Sequence, residues 1–150
     1  MPRLSKKTMF AIEAVLDVAF HVGDRPVRSG DITERQRIPK RYLEQVLQHL
    51  VRAGILNGKR GPRGGYRLAR ERRRISVGDV VRVAESIDDE ASENAQPRSE
   101  LGARIVTPLI HSLQEEVMSR LDAISIEDLC QRARSAGVDC GGGTTADFTI

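Results

Sequence analysis

Between Asn57 and Arg74 the chain carries eight basic residues (Lys59, Arg60, Arg63, Arg67, Arg70, Arg72, Arg73 and Arg74) against one acid, Glu71. Gly58, Gly61, Gly64 and Gly65 interrupt the run and remove side chains where backbone must come close to a neighbour. Like charge at this density repels itself unless a polyanion lies opposite. An Arg on a narrow loop suits the minor groove of DNA, where the potential is most negative. A nucleotide-binding loop is the competing chemistry for a glycine-rich segment, and it fails here. Gly61-x-x-Gly64-Gly65 lacks the Gly-Lys-Ser/Thr ending of a phosphate loop, and a strand follows it where a helix N-terminus would be needed.

A second set lies upstream. Arg41, Glu44, Gln45 and Gln48 fall on the side of a helical stretch opposite its apolar residues. In the major groove an Arg or Lys can read guanine, a Gln can read adenine and a Glu can accept from cytosine. The remaining reactive side chains are scattered. Cys130 and Cys140 are separated by nine residues, a spacing of no recognised metal site. Cys130 falls in the apolar pattern Ile126, Leu129, Cys130, Ala133 and reads as a small core residue. Cys140 stands beside three glycines in a stretch without packing signal, which reads as a flexible tail over residues 138–150. His21, His49 and His111 are isolated, and no Ser/His/Asp or paired-carboxylate spacing occurs, so no catalytic site is expected.

The elements that must position these residues follow from periodicity. Ser5 caps a helix expected to run to about Val22, with Phe10, Val15, Leu16, Ala19 and Phe20 on its apolar face; Gly23 to Pro26 ends it. A short helix is expected from a Ser29 cap to Gln36. The next begins with Pro39 at its first position and buries Leu43, Val46, Leu47, Leu50 and Val51 at i, i+3, i+4, i+7 and i+8 before Gly54 closes it. Ile55-Leu56 and Tyr66-Arg67-Leu68 read as two short strands around the basic tip. Ser76 and Asp79 form an S-x-x-D capping box for a helix lined by Val77, Val80, Val81 and Ala84. Asp88 to Ser99 is acidic, polar and aperiodic, and reads as a loop. Thr107-Pro108 then opens a long helix, in which Val106, Ile110, Leu113, Val117, Leu121 and Ile124 approach a heptad seam. A second S-x-x-D box, Ser125 and Asp128, starts the last helix, which stops before Gly137.

Composition agrees with this order. Of 150 residues 39% are apolar and only 3% aromatic, so the core must come from Leu, Val, Ile and Ala, which favours helices. Residues 1–86 carry 19 Lys and Arg against 9 Asp and Glu, a net of +10; residues 87–150 carry 5 against 12, a net of −7. A basic first part joined to an acidic second part points to nucleic-acid contact by the first. No apolar run approaches the ~18 residues that a membrane span requires, and two cysteines make no disulfide framework, so a cytoplasmic location is expected.

Three helices followed by a basic hairpin is the order of a winged helix-turn-helix. The residues Ile32-Thr33-Glu34-Arg35-Gln36, Tyr42-Leu43-Glu44-Gln45 and Arg60-Gly61-Pro62-Arg63-Gly64-Gly65-Tyr66 resemble the Rrf-two family of bacterial winged-helix regulators. Leu4-Ser5-Lys6-Lys7, Leu16-Asp17-Val18-Ala19 and Ile124-Ser125-Ile126-Glu127-Asp128-Leu129 extend the likeness over roughly residues 3–130. The resemblance implies a homodimer built through the long helix and bound to a pseudo-palindromic operator in double-stranded promoter DNA. Arg41, Glu44 and Gln45 would read the major groove and Arg60 would enter the minor groove. Sensing members hold an iron–sulfur cluster on three cysteines, some with a histidine, in the loop before the long helix. Here Ser86 to Thr107 contains neither Cys nor His, and Thr8 and Ile12 stand near the places that a second cluster type uses on the first helix.

The expected architecture is therefore mainly α with a small β wing. It comprises a winged helix-turn-helix over residues 1–87, a loop over 88–104, and the dimerisation and C-terminal helices over 105–137. The expected DNA contacts are Ser29, Lys40, Arg41, Tyr42, Glu44, Gln45, Gln48, Lys59, Arg60 and Arg63. Val106, Ile110, Leu113, Val117 and Leu121 form the expected dimer interface. No metal, cofactor or membrane partner is expected, and the effector is unidentified. A redox- or metal-responsive regulator using Cys130, Cys140 or a non-standard cluster stays open as the alternative, as does an interaction module whose acidic half binds a protein.

Overall fold

The computed structural model describes residues 5–21, 25–89 and 99–138. Among the described residues six α-helices and one hairpin share a single apolar core.

Helix α1 (Lys6–Phe20) begins where the Ser5 hydroxyl accepts the Thr8 N–H at 3.1 Å. Ala11, Ala14 and Ala19 are fully buried. Such small side chains let α1 run through the middle of the molecule, in contact with four other helices and the hairpin. The turn expected at Gly23 and Asp24 lies outside the described residues.

Helix α2 (Ser29–Gln36) buries only Ile32. Ser29 is not its cap, as the sequence suggested. Arg28 holds the extended cap conformation, its carbonyl takes the N–H groups of Asp31 and Ile32, and Ser29 opens the first turn. Helix α3 (Lys40–Arg52) shows the same one-residue shift, with Pro39 at the cap position instead of the first helical one. Its buried stripe is Leu43, Val46, Leu47 and Leu50, with Val51 half-buried. Gly54 at φ +77° closes it: Gly54 N–H bonds to the Val51 carbonyl at 3.1 Å and Ile55 N–H to the Leu50 carbonyl at 3.0 Å.

Strands β1 (Leu56–Lys59) and β2 (Gly65–Leu68) pair antiparallel from Leu56 opposite Leu68 to Lys59 opposite Gly65. The ladder thus reaches further towards the tip than its apolar residues alone indicated. Val27 adds a bridge on the other side of β2, exchanging bonds of 2.9 and 2.7 Å with Tyr66. Gly65 permits this seam, since a Cβ there would stand 2.8 Å from the Val27 carbonyl carbon.

Helix α4 (Val77–Asp89) carries the expected capping box, Ser76 N–H to Asp79 carboxylate at 3.0 Å and Asp79 N–H to Ser76 hydroxyl at 2.9 Å. Asp88 and Asp89 belong to this helix and not to the loop that the sequence suggested. The buried Ile87 anchors its last turn.

The long helix starts earlier than Thr107-Pro108. Ser99 caps it, its hydroxyl accepting the Gly102 N–H at 3.0 Å. A wide π turn over Gly102–Val106 leads into α5 (Thr107–Asp122) without a break. In that turn the Thr107 N–H bonds back to the Gly102 carbonyl. A locally widened turn accommodates a residue such as Pro108, which lacks an N–H and crowds the preceding turn. Helix α6 (Ile126–Ser135) opens with the second capping box, its two bonds 2.9 and 3.0 Å long, and sends Ile126 and Cys130 into the core at 0% exposure. Among the described residues no helix is long and apolar enough to cross a membrane.

Candidate nucleic-acid interface

The apolar stripe of α3 fixes which of its residues face out. Lys40, Arg41, Glu44, Gln45 and Gln48 are all exposed. Tyr42 is not, and its expected place among the DNA contacts is corrected. It is 8% exposed, its hydroxyl donates to the Lys7 carbonyl at 2.6 Å, and its ring packs on Phe10 with centroids 6.0 Å apart. One step in a helix turns a side chain by about 100°, enough to move position 42 from the outward to the inward face.

An open groove of about 1150 Å³ separates α3 from the wing. Ser29 and Gly30 from the first turn of α2, Gln48 and Arg52 from α3, and Lys59 and Arg60 from the wing line it. The first turn of α2 adds unpaired N–H groups and a positive dipole end to that wall. The wing tip is braced: the Arg28 guanidinium donates to the Pro62 carbonyl, and the Gly64 N–H closes a tight turn on the Gly61 carbonyl at 2.9 Å.

Six of the eight cations of the Asn57–Arg74 segment separate into two groups. Lys59, Arg60 and Arg63 are exposed at or beside the tip, and none of them forms an ion pair among the described residues. Arg70, Arg72 and Arg73 instead meet carboxylates of the same chain at its surface, Asp79 at 3.8 Å, Glu127 at 3.0 Å and Glu71 at 2.7 Å. Composition counts all eight alike; the fold separates the three at the tip from the three that meet carboxylates of the same chain, while Arg67 and Arg74 are exposed outside both groups.

A cluster that the sequence did not single out supports the reading helices. Asp17 of α1 has no exposed surface and accepts from Arg35 at 3.0 and 2.7 Å and from Gln36 at 2.7 Å, all across to α2. His21 Nδ1 lies 3.5 Å from the same carboxylate. Its signal was available: Asp17 interrupts the apolar run Val15, Leu16, Val18, Ala19, and a carboxylate in such a place needs partners.

The expected dimer seam divides. Val106, Ile110 and Leu113 are 49, 37 and 47% exposed, and Leu101, Ile105 and Leu109, missed by the sequence reading, extend the same open apolar surface at 68, 60 and 55%. Val117 is half-buried, and Leu121 packs with Met118 against the chain's own core, so Leu121 is withdrawn from the seam. Leu101 and Ile105 precede the helix opening that Thr107-Pro108 suggests, so periodicity from that point does not include them.

A family model described as iron-dependent transcriptional regulator, Rrf2, matches residues 4–132. The chain belongs to the Rrf2 family. It is 38% identical over 128 residues to the HTH-type transcriptional regulator IscR of Xenorhabdus nematophila, covering 85% of this chain and 78% of that one. To the IscR of Vibrio cholerae it is 39% identical over 119 residues, 79% and 67% of the two chains. Among solved structures it is similar to T. potens IscR, with a TM-score of 0.71 at 31% identity over 91% of this chain and 92% of that one. It is also similar to CymR, the global cysteine regulator of B. subtilis, with a TM-score of 0.64 at 28% identity over 88% and 98%. Rrf2 proteins are DNA-binding transcriptional regulators and not enzymes.

The family description mentions iron, so the donor set matters. Ser86 to Thr107 offers no thiolate or imidazole. On α1, Thr8 is 2% exposed with its hydroxyl 2.9 Å from that of Ser5, and Ile12 has no donor atom. Cys130 is fully buried, and burial first of all pushes its thiol above the ordinary range, away from the thiolate that ligates iron. Cys140 lies outside the described residues. The residues present do not fit an iron–sulfur cluster of either arrangement.

Proposed function

We propose that this Rrf2 chain is a homodimeric, sequence-specific regulator that occupies a pseudo-palindromic operator in promoter DNA in the cytoplasm, acting as a repressor by blocking access to the promoter. One observation carries the reading: the outward Gln48 and Arg52 of α3, the first turn of α2 and the wing cations Lys59 and Arg60 border one groove. From the exposed face of α3 that continues beyond this groove, Arg41, Glu44 and Gln45 contact base edges in the major groove together with Gln48. Arg60 enters the adjoining minor groove, and Ser29, Lys40, Lys59 and Arg63 hold phosphates. The open apolar surface of α5, centred on Ile105, Leu109 and Ile110, is the seam that joins two copies. The chain does this without an iron–sulfur cluster, because its donor set offers none of the family's ligands.

The test is a binding-site selection from random duplex DNA, followed by titration of the selected site. Wild-type protein is expected to recover paired inverted half-sites. With about 6–10 phosphate contacts its affinity falls about 10³–10⁵-fold between 50 and 200 mM salt. Arg60→Ala weakens binding about tenfold or more, and Glu44→Ala relaxes the base preference at one position of each half-site by about 1–3 kcal/mol. Wild-type affinity in Arg60→Ala would remove the wing from the interface.

A further inference from the structure

Glycine is among the poorest helix formers, yet Gly78 stands in the first turn of α4 and is buried. Its surroundings explain why. A Cβ at this position would overlap Asp122 Oδ1, and it would come within 2.9 Å of Asp122 Cγ and 3.1 Å of the Asp122 backbone nitrogen. Asp122 is the last residue of α5. Gly78 is thus the point at which the DNA-reading domain touches the end of the long helix.

The contact is part of a stiff joint. Ser76 pairs with Ser125 in an antiparallel bridge. The Val77 N–H bonds to the Ile124 carbonyl and the Ile126 N–H to the Ile75 carbonyl, both at 2.8 Å. Arg82 clasps Asp122 with two bonds of 2.7 and 2.6 Å, which locks the aspartate over the glycine. The two capping boxes described above stand on either side of the bridge, so the backbone on both sides is held.

Resting on the dimeric reading just given, we propose that Gly78, with Asp122 and Arg82, sets the angle at which α5 leaves the DNA-reading domain and thereby the half-site spacing that the dimer accepts. The lever is long enough to matter. The 16 residues of α5 span about 24 Å, so a tilt of about 10° at the joint displaces the far end by about 4 Å. That exceeds the ~3.4 Å rise of one base pair. Gly78 and Asp122 belong to the joint, away from the residues assigned to base reading, so they affect how far apart the two reading surfaces stand and leave the bases read by each unchanged.

The experiment is selection from random duplex DNA with the full chain, followed by titration of the selected operator and of versions with one base pair inserted or removed at its centre. Wild type is expected to return one spacing and to bind the altered duplexes about tenfold more weakly. Gly78→Ala returns the same half-site bases at a shifted spacing. It binds one altered duplex at least as tightly as the original. In Gly78→Ala/Asp122→Ala the preferred spacing moves back towards that of wild type because the overlapping carboxylate is gone, but with the weaker preference that loss of the Arg82 clasp brings. Should Gly78→Ala fail to fold, Asp122→Ala alone decides: its preference for the original spacing falls several-fold while its half-site bases stay the same. Paired half-sites at an unchanged spacing and preference in the folded variants overturn this inference alone. Isolated half-sites from the wild type overturn the dimeric reading and this inference with it.

Discussion

Asp17 decides more than its place on a helix interior suggests. Its carboxylate is fully buried, and three bonds of 2.7–3.0 Å from Arg35 and Gln36 tie α2 to α1. Helix α2 buries only Ile32, so this ion pair orients a helix that has little apolar hold of its own. Removing one partner of such a pair strands the other. Asp17→Ala is expected to lower stability by roughly 3–5 kcal/mol, read from urea unfolding midpoints; a loss under about 1 kcal/mol would mean that packing alone seats α2. At this scale the sequence was legible where a residue's type settles its side of a helix, as for Glu44 and Gln45. It misled at Tyr42, expected among the DNA contacts, whose amphipathic side chain suits either side of a helix. It could not separate Lys59 and Arg60 from Arg72, because the carboxylate that meets Arg72 is Glu127, far along the chain.

Elements were legible where the signal is local. Both S-x-x-D boxes close with all four bonds between 2.9 and 3.0 Å, since a capping box needs nothing beyond its own four residues. The box at α6 has a consequence for pH. The Ser125 N–H, then the Ser125 hydroxyl, hold the Asp128 carboxyl below its ordinary range. A carboxyl depressed in the folded state favours folding above its unfolded value, about 4. That contribution disappears as the pH falls through the lower, folded value. Asp122, held down by Arg82, acts in the same direction. Asp128→Asn is expected to make stability decline less steeply below about pH 4, measured by urea denaturation at a series of pH values. An acid limb of unchanged slope would show that the box adds nothing to the pH dependence. Element boundaries were less legible. The start of the long helix was misplaced because Thr107-Pro108 has the composition of a helix opening, whereas a π turn carries the helix through it.

On the scale of the molecule, the order of three helices, hairpin and long helix was readable because each step follows from hydrophobic period and turn chemistry. The joint between α4, α5 and α6 was not, for its bonds link residues some 45 positions apart in sequence, such as Val77 and Ile124. The charge division, +10 over residues 1–86 and −7 over the remainder, gives the first part its attraction for a polyanion. The fold sets Lys59 and Arg60 of that charge across a groove from α3. Amide hydrogen exchange with and without the selected duplex tests this most directly. The account predicts slowed exchange at residues 29–30, 40–48 and 59–63, with residues 70–74 and α6 unchanged. Slowing confined to residues 70–74 or α6, with α3 and the wing tip untouched, would contradict it.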